Sequence, residues 1–201
     1  MESFTSIAIA FITGVLGPVL ILIIKNRLDK RSKPDVLADA LKTGELVTIK
    51  IDNIREDFKA DRVWITQFHN GGHFYPTGKS IAKFSVIYET VASDTSSIQN
   101  NFQNIPVNLF TKSMNRLLTQ GIIEVPDYKD ETVATYGLKY IAEESDCKSG
   151  YLFAIKTIDD RFIGVLGVDY TKKKHKLSPS EVNQLTVQAS SIGGALMKDH
   201  R

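Results

Sequence analysis

The sequence predicts an α+β fold, an antiparallel sheet flanked by helices, preceded by one N-terminal transmembrane helix. Three stretches carry that reading. Gly150 to Tyr170 consists of two apolar runs around the polar turn Asp159-Asp160-Arg161, the signal of a β-hairpin. Neither run alternates between apolar and polar residues, so both faces of these strands are expected to be covered. Ser178-Pro179-Ser180-Glu181 then supplies an N-cap, a proline at the first helical position and a capping box. Val182, Leu185, Ala189, Ile192 and Leu196 follow at steps of three and four, an amphipathic helix. At the other end, Phe4 to Ile24 contains no charged residue.

Taken from the start, that apolar run makes about 32 Å of helix, enough to span a bilayer core. A cleaved signal peptide fits poorly, because no basic residue precedes the run and the run is long for such a segment. Lys25, Arg27, Lys30, Arg31 and Lys33 follow it, offset only by Asp29. The positive-inside rule then leaves the C-terminal part in the cytoplasm, as a single-pass protein of the inner or plasma membrane. The same cluster can touch anionic lipid headgroups, which makes the bilayer an expected partner. Ser6, Ala10 and Gly14 lie four apart on one face, a spacing that allows helices to pack closely. Gly17-Pro18 is expected to soften the span.

Pro34 can open a second helix that runs to about Ala60. Leu37, Ala40, Gly44, Val47, Ile51, Ile54 and Phe58 alternate at three and four, either a coiled-coil seam or the edge of a helix buried on its own sheet. Gly44 and the β-branched Val47-Thr48-Ile49 weaken the helix by propensity. The spacing suggests a parallel homodimer or a higher oligomer. A strand from Asp61 to His69 comes next, closed by a turn at Asn70-Gly71-Gly72, then an aromatic loop from His73 to Gly78 and a strand from Ile81 to Val91. Ser93 to Asn104 is polar and reads as a mobile surface segment. Val107 to Gln120 reads as a helix, Ile122 to Val125 as a strand, and Tyr136 to Glu144 as a short helix. The domains are therefore an anchor over 1–25, a basic juxtamembrane segment with connector helix over 26–60, and a sheet domain over 61–201.

Catalytic signatures fail one by one. Gly72 and Gly78-Lys79-Ser80 are separated by five residues, where a phosphate-binding loop needs four, and Pro76 is one of them. His69 and His73 have a metal-like spacing, but Asn70-Gly71-Gly72 denies them a helix and Cys147 is the only thiol, so no metal site is expected. A lone cysteine also forbids an internal disulfide and fits a reducing compartment. His69, Asp127 and Ser149 lack any nucleophile elbow. The net charge of +2 gives no reason to expect nucleic acid as a partner. The run Lys172 to Lys176 reads as a solvated loop or a contact for a membrane surface or acidic partner.

Ser149 entering a strand, the turn at Asp159-Asp160, Ile163-Gly164-Val165-Leu166, the capped helix and its closing Ala195-Leu196 together resemble the C-terminal half of GAF domains. Ala60-Asp61-Arg62-Val63 is similar to the end of their first helix, and the resemblance extends from about Asp35 to the end. It implies a non-enzymatic sensory or regulatory module that acts through small-ligand or protein binding and dimerisation. It also implies a ligand pocket at Phe68, His69, Tyr88, Asp127, Cys147, Ser149 and Tyr151, with no cofactor identified. The Asn-Lys-x-x-x-Phe pattern of cyclic-nucleotide GAF domains, the several cysteines of methionine sulfoxide reductases and the chromophore cysteine context of phytochromes are not found. With no output domain after the last helix, a signal is expected to leave through a partner or through the connector. One span plus a compact domain is also similar in outline to the holins of T-even bacteriophages, which makes a membrane-assembling lysis protein the alternative.

Overall fold

The computed structural model describes residues 2–31, 36–74, 76–130 and 137–197. Lys33, Pro34, Tyr75 and Tyr136 lie outside them, and with them parts of the basic cluster, the connector start, the aromatic loop and the short helix. The chain divides into two units, Met1–Asp39 and Ala40–Arg201.

The first unit is helical. α1 (Glu2–Phe11) passes through a π turn (Ile12–Leu16) into α2 (Gly17–Arg31). Pro18 has no N–H to give the carbonyl one turn back, and the helix widens just before it. The Gly17 N–H bonds the carbonyl of Ile12, and Thr13 Oγ1 donates to the Ile9 carbonyl at 2.8 Å. The softening expected at Gly17-Pro18 takes this form. Phe4–Arg27, 24 residues, is long and apolar enough to cross a membrane. Lys25 and Arg27 lie at its end, and Lys30 and Arg31 fall in the last turn of α2.

The second unit is built on six antiparallel strands in the order β3-β2-β1-β6-β5-β4. These are β1 (Arg62–His73), β2 (Ser80–Val91), β3 (Ile105–Pro106), β4 (Ile122–Val125), β5 (Ser149–Lys156) and β6 (Phe162–Tyr170). α3 (Val36–Asp57) precedes the sheet; α4 (Thr111–Gln120) and α5 (Leu138–Glu144) lie between β3 and β5, and α6 (Pro179–Leu196) follows β6. The turn expected at Asn70-Gly71-Gly72 is not there. β1 runs on to His73 with an irregular register after Asn70, and the chain reverses at Phe74–Gly78, where Gly78 N–H bonds the Phe74 carbonyl.

Alternation along the strands divides the core into two. On one face Val63, Ile65, Tyr151, Phe153, Ile155, Leu166, Val168 and Tyr170 meet α3 and α6. α3 contributes Val47, Ile51, Ile54 and Phe58, and α6 contributes Leu185, Ala189, Ile192, Ala195 and Leu196. The three-four spacing of α3 is thus used against its own sheet from Val47 onward, which is the second of the two readings open from sequence. α6 starts with the expected capping box: Glu181 N–H donates to Ser178 Oγ, and the Ser178 N–H donates to Glu181 Oε2 at 2.7 Å. Those bonds from Ser178 hold the Glu181 carboxylate below its usual range. Gly193 brings α6 against β5: a Cβ there would lie 2.2 Å from the Lys156 carbonyl oxygen.

Candidate functional site

The other face of the sheet carries a second core that leaves a small cavity. Trp64 and Thr66 on β1, Phe84 and Val86 on β2, Leu152 on β5 and Val165 on β6 floor a cavity of about 50 Å³. α4 supplies Ser113, Met114 and Leu117 to its wall, and α5 supplies Leu138, Ile141 and Ala142. Ile98 and Phe102 close the remaining side, and the walls are nearly all apolar. About 10–15 Å³ is needed to hold one water, so this space takes a few waters or a very small ligand.

The segment over 93–104 that carries Ile98 and Phe102 is held by directed bonds, which corrects the expectation of a mobile surface stretch. The Glu89 carboxylate accepts the Ile98 N–H at 2.8 Å, the Gln99 N–H at 3.2 Å and the Ser97 hydroxyl. Gln103 Nε2 donates to the Val86 carbonyl at 2.8 Å, and Arg62 Nη1 donates to the Ser96 carbonyl at 3.0 Å. The polar residues that suggested mobility are the ones tying the segment to β2, and both of its large apolar side chains are buried.

Among the described residues, one charged group lines the cavity, and it is paired. Arg62 and Asp169 face each other across the β1–β6 ladder, and the Arg62 side chain is fully buried. Arg62 Nε donates to Asp169 Oδ2 at 2.9 Å, and Nη2 lies 2.8 Å from the same oxygen. Trp64 Nε1 donates to that oxygen as well, at 2.9 Å. Burial works to lower the Arg62 guanidinium, but the Asp169 carboxylate beside it outweighs that and holds it above its ordinary value. The indole reaches Asp169 because position 167 has no side chain: a Cβ on Gly167 would lie 2.0 Å from Trp64 Cε2. Cys147 also borders the cavity, its thiol donating to the Ser149 carbonyl at 3.2 Å. Burial, then the Asp169 charge, pushes this thiol far up.

The seven residues expected to form the pocket are not brought together, and Cys147 alone lines the cavity. Phe68 shares the cavity face but lies beyond its edge, against Phe162 with ring centroids 4.8 Å apart. His69 is exposed, with Nε2 2.9 Å from Ser85 Oγ. Tyr88 and Tyr151 point to the α3/α6 face, where the Tyr151 hydroxyl accepts the Leu177 N–H at 2.9 Å. Ser149 Oγ accepts the His175 N–H at 2.9 Å, and Asp127 pairs with Lys174 at 2.5 Å. That Lys174 bond holds the Asp127 carboxylate below its usual range. Period-two alternation explains the split, since Tyr151 and its neighbour Leu152 must face opposite sides. Lys172 pairs with Asp94 at 2.6 Å, so the basic run is partly neutralised rather than a free patch.

Sequence reading missed Arg62, Trp64, Asp169, Ile98, Phe102 and Met114. A usable signal existed for Arg62 and Asp169: a charge embedded in an apolar strand must find a partner.

No protein-family model and no curated protein matches the sequence. Solved structures do match. A far-red cyanobacteriochrome photoreceptor is 15% identical with a TM-score of 0.63, over 93% of this chain and 100% of that one. The phycocyanobilin-bound GAF domain of a cyanobacterial phytochrome is 16% identical with a TM-score of 0.62, over 87% and 92%. The blue-light-absorbing form of the Thermosynechococcus elongatus PixJ GAF domain is 16% identical with a TM-score of 0.59, over 78% and 86%. At such identities the likeness carries architecture: this chain has the GAF fold.

Proposed function

We propose that the protein is a membrane-anchored, non-enzymatic sensory module whose GAF-fold unit binds a small ligand in the cavity under α4 and α5. The observation that carries this is the apolar cavity itself, closed by a tethered segment and bordered by one buried ion pair. Small-molecule sites combine apolar walls with a few fixed polar groups in this way. The similar phytochrome domain holds phycocyanobilin. A cavity of about 50 Å³ selects something far smaller than a bilin here. The apolar helix Phe4–Arg27 serves as the anchor, the basic residues after it keep the second unit in the cytoplasm, and the chain acts as a homodimer.

Native mass spectrometry of the full chain released from detergent tests the reading. A small mass retained on a dimer is the expected result; a ligand-free monomer from several expression hosts overturns it. The holin-like alternative rests on the same apolar helix. Protease protection in membrane vesicles separates the two: a cytoplasmic domain in viable cells supports the sensor, and an exported domain with lysis supports the holin.

A further inference from the structure

We propose that the projecting arm of β1 and β2 is a second membrane contact: its aromatic tip at Phe74 enters the interface of an anionic bilayer, and Lys79 and Lys83 meet the lipid headgroups. This rests on the anchor proposed above, which holds the second unit at a membrane, and adds the surface through which that unit engages it.

The arm is a ribbon outside the core. The ladder between β1 and β6 ends at Gln67 and Gly164, whereas that between β1 and β2 continues to His73 and Ser80, and β3 joins β2 only at Lys83 and Phe84. Over 70–82, two strands therefore stand without a third among the described residues, and each described residue there is exposed or half-buried. A two-stranded hairpin by itself is marginal in water, so this stretch contributes little to the fold. It nonetheless ends in Phe74, 49% exposed, followed in sequence by Tyr75 and Pro76. Aromatic rings of this kind settle at the boundary between headgroups and acyl chains.

Charge on the ribbon has one sign. From Val63 to Tyr88 the sequence holds Lys79 and Lys83 and no aspartate or glutamate. Gly71 makes room for the Lys83 stem, since a Cβ there would lie 2.6 Å from Lys83 Cδ. The β5–β6 turn, at the same end of the sheet, exposes Ile158 completely, and its charges cancel: Asp159 pairs with Arg161 at 2.7 Å and Asp160 with Lys156 at 2.9 Å. Lysines beside an apolar tip match an anionic lipid surface, where each lysine strengthens association about fivefold. The tip also lies at the end of the second unit where the chain enters it. Thr90, opposite Val63, bonds Asp52 and Arg55 of α3. A Cβ on Gly44, nearer the start of α3, would lie 3.6 Å from the hydroxyl of Tyr88, which is opposite Ile65. α3 thus runs against β1, and its beginning and the tip share one end. The span ends at Arg27 and the unit begins at Ala40, a connection that reaches at most about 45 Å even when extended. A tether of that length raises the effective concentration of the arm at the bilayer.

A tryptophan at the tip tests this. The full chain with Phe74→Trp is reconstituted in nanodiscs of phosphatidylcholine alone, or of phosphatidylcholine mixed equally with phosphatidylglycerol, with brominated acyl chains that quench nearby tryptophan. The wild-type chain supplies the background of Trp64. The expected result is a chain that co-elutes with the discs and, in the mixed lipid, a blue-shifted and quenched emission from the added tryptophan. Phosphatidylcholine alone should leave the tip unquenched. Adding Lys79→Glu and Lys83→Glu, both on the ribbon outside the core, should lower the ratio of docked to free tip at least about twentyfold. A chain that elutes apart from the discs overturns the anchor and the docking with it. Unquenched emission in mixed discs from a chain that co-elutes overturns the docking and leaves the anchor standing. Equal quenching in phosphatidylcholine discs or in the charge-reversed variant overturns headgroup recognition by the lysines. A blue shift without quenching means that protein, a second copy included, covers the tip, and overturns the docking as well.

Discussion

Gly167→Ala is the substitution that most directly tests how the site is assembled. A Cβ at this position would lie 2.0 Å from Trp64 Cε2, 2.2 Å from Cζ2 and 2.6 Å from Cδ2. Carbon atoms pack at about 3.5–4.0 Å, so the indole must retreat by roughly 1.5 Å. Its 2.9 Å bond to Asp169 does not survive a shift of that size. The expected cost is about 1–3 kcal/mol of overpacking together with about 1.5–3 kcal/mol for a hydrogen bond to a charged group. Together these come to about 2.5–6 kcal/mol. Trp64 is the only tryptophan, so intrinsic fluorescence reports this position alone. Urea unfolding of the full chain, followed by fluorescence and circular dichroism, should show a lower midpoint. Native emission should move to the red as the half-buried indole shifts towards solvent. Unchanged emission with a loss below about 1 kcal/mol would refute the tight Trp64–Gly167 stacking.

Adjacent glycines in α6 should behave oppositely. Gly193→Ala forces the helix off the Lys156 carbonyl and costs at least about 1–3 kcal/mol, whereas Gly194→Ala meets nothing within 4 Å and gains up to about 1 kcal/mol; thermal unfolding of the two variants decides. Arg62→Met leaves the Asp169 carboxylate buried and unpaired and should lose about 3–5 kcal/mol, much of which Arg62→Met with Asp169→Leu should recover in denaturant unfolding. The Cys147 thiol has a folded pKa raised by burial, so its contribution is present below its unfolded value and lost as pH rises. Stability should therefore begin to fall above pH ~9, and Cys147→Ala should move the onset of that fall up to about pH 10, where the buried tyrosines, also raised by burial, begin to contribute. The depressed Glu181 carboxylate works the other way: its contribution is lost as pH falls through its folded pKa, and Glu181→Gln should flatten the acid limb of a pH–stability profile.

The elements were largely legible because they are written in local signals. The capping box at Ser178, the hairpin around Asp159-Asp160 and the spacing of α3 each depend on residues within one or two turns of each other. The site was not legible, because it depends on which strands become neighbours. Nothing local says that Arg62 and Asp169, separated by 107 positions, will meet across a ladder. Pocket positions assigned by likeness fell on both sides of the sheet, since a strand offers its residues to alternate faces and only the tertiary pairing says which face is open. The stretch over 93–104 misled for a different reason. Its polar side chains satisfy backbone groups of the same segment and of β2, a use indistinguishable from solvation until the fold is known.

The position of the ion pair bears on what it is for. Replacing a buried pair with well-packed apolar residues is often neutral or stabilising, so stability alone gives a poor account of Arg62 and Asp169. Its geometry gives a better one. The guanidinium reaches the Ser96 carbonyl at the start of the segment that carries Ile98 and Phe102, and the Ser145 carbonyl at the end of α5. The carboxylate fixes Trp64 in the cavity floor. One pair thereby ties the floor to two of the walls.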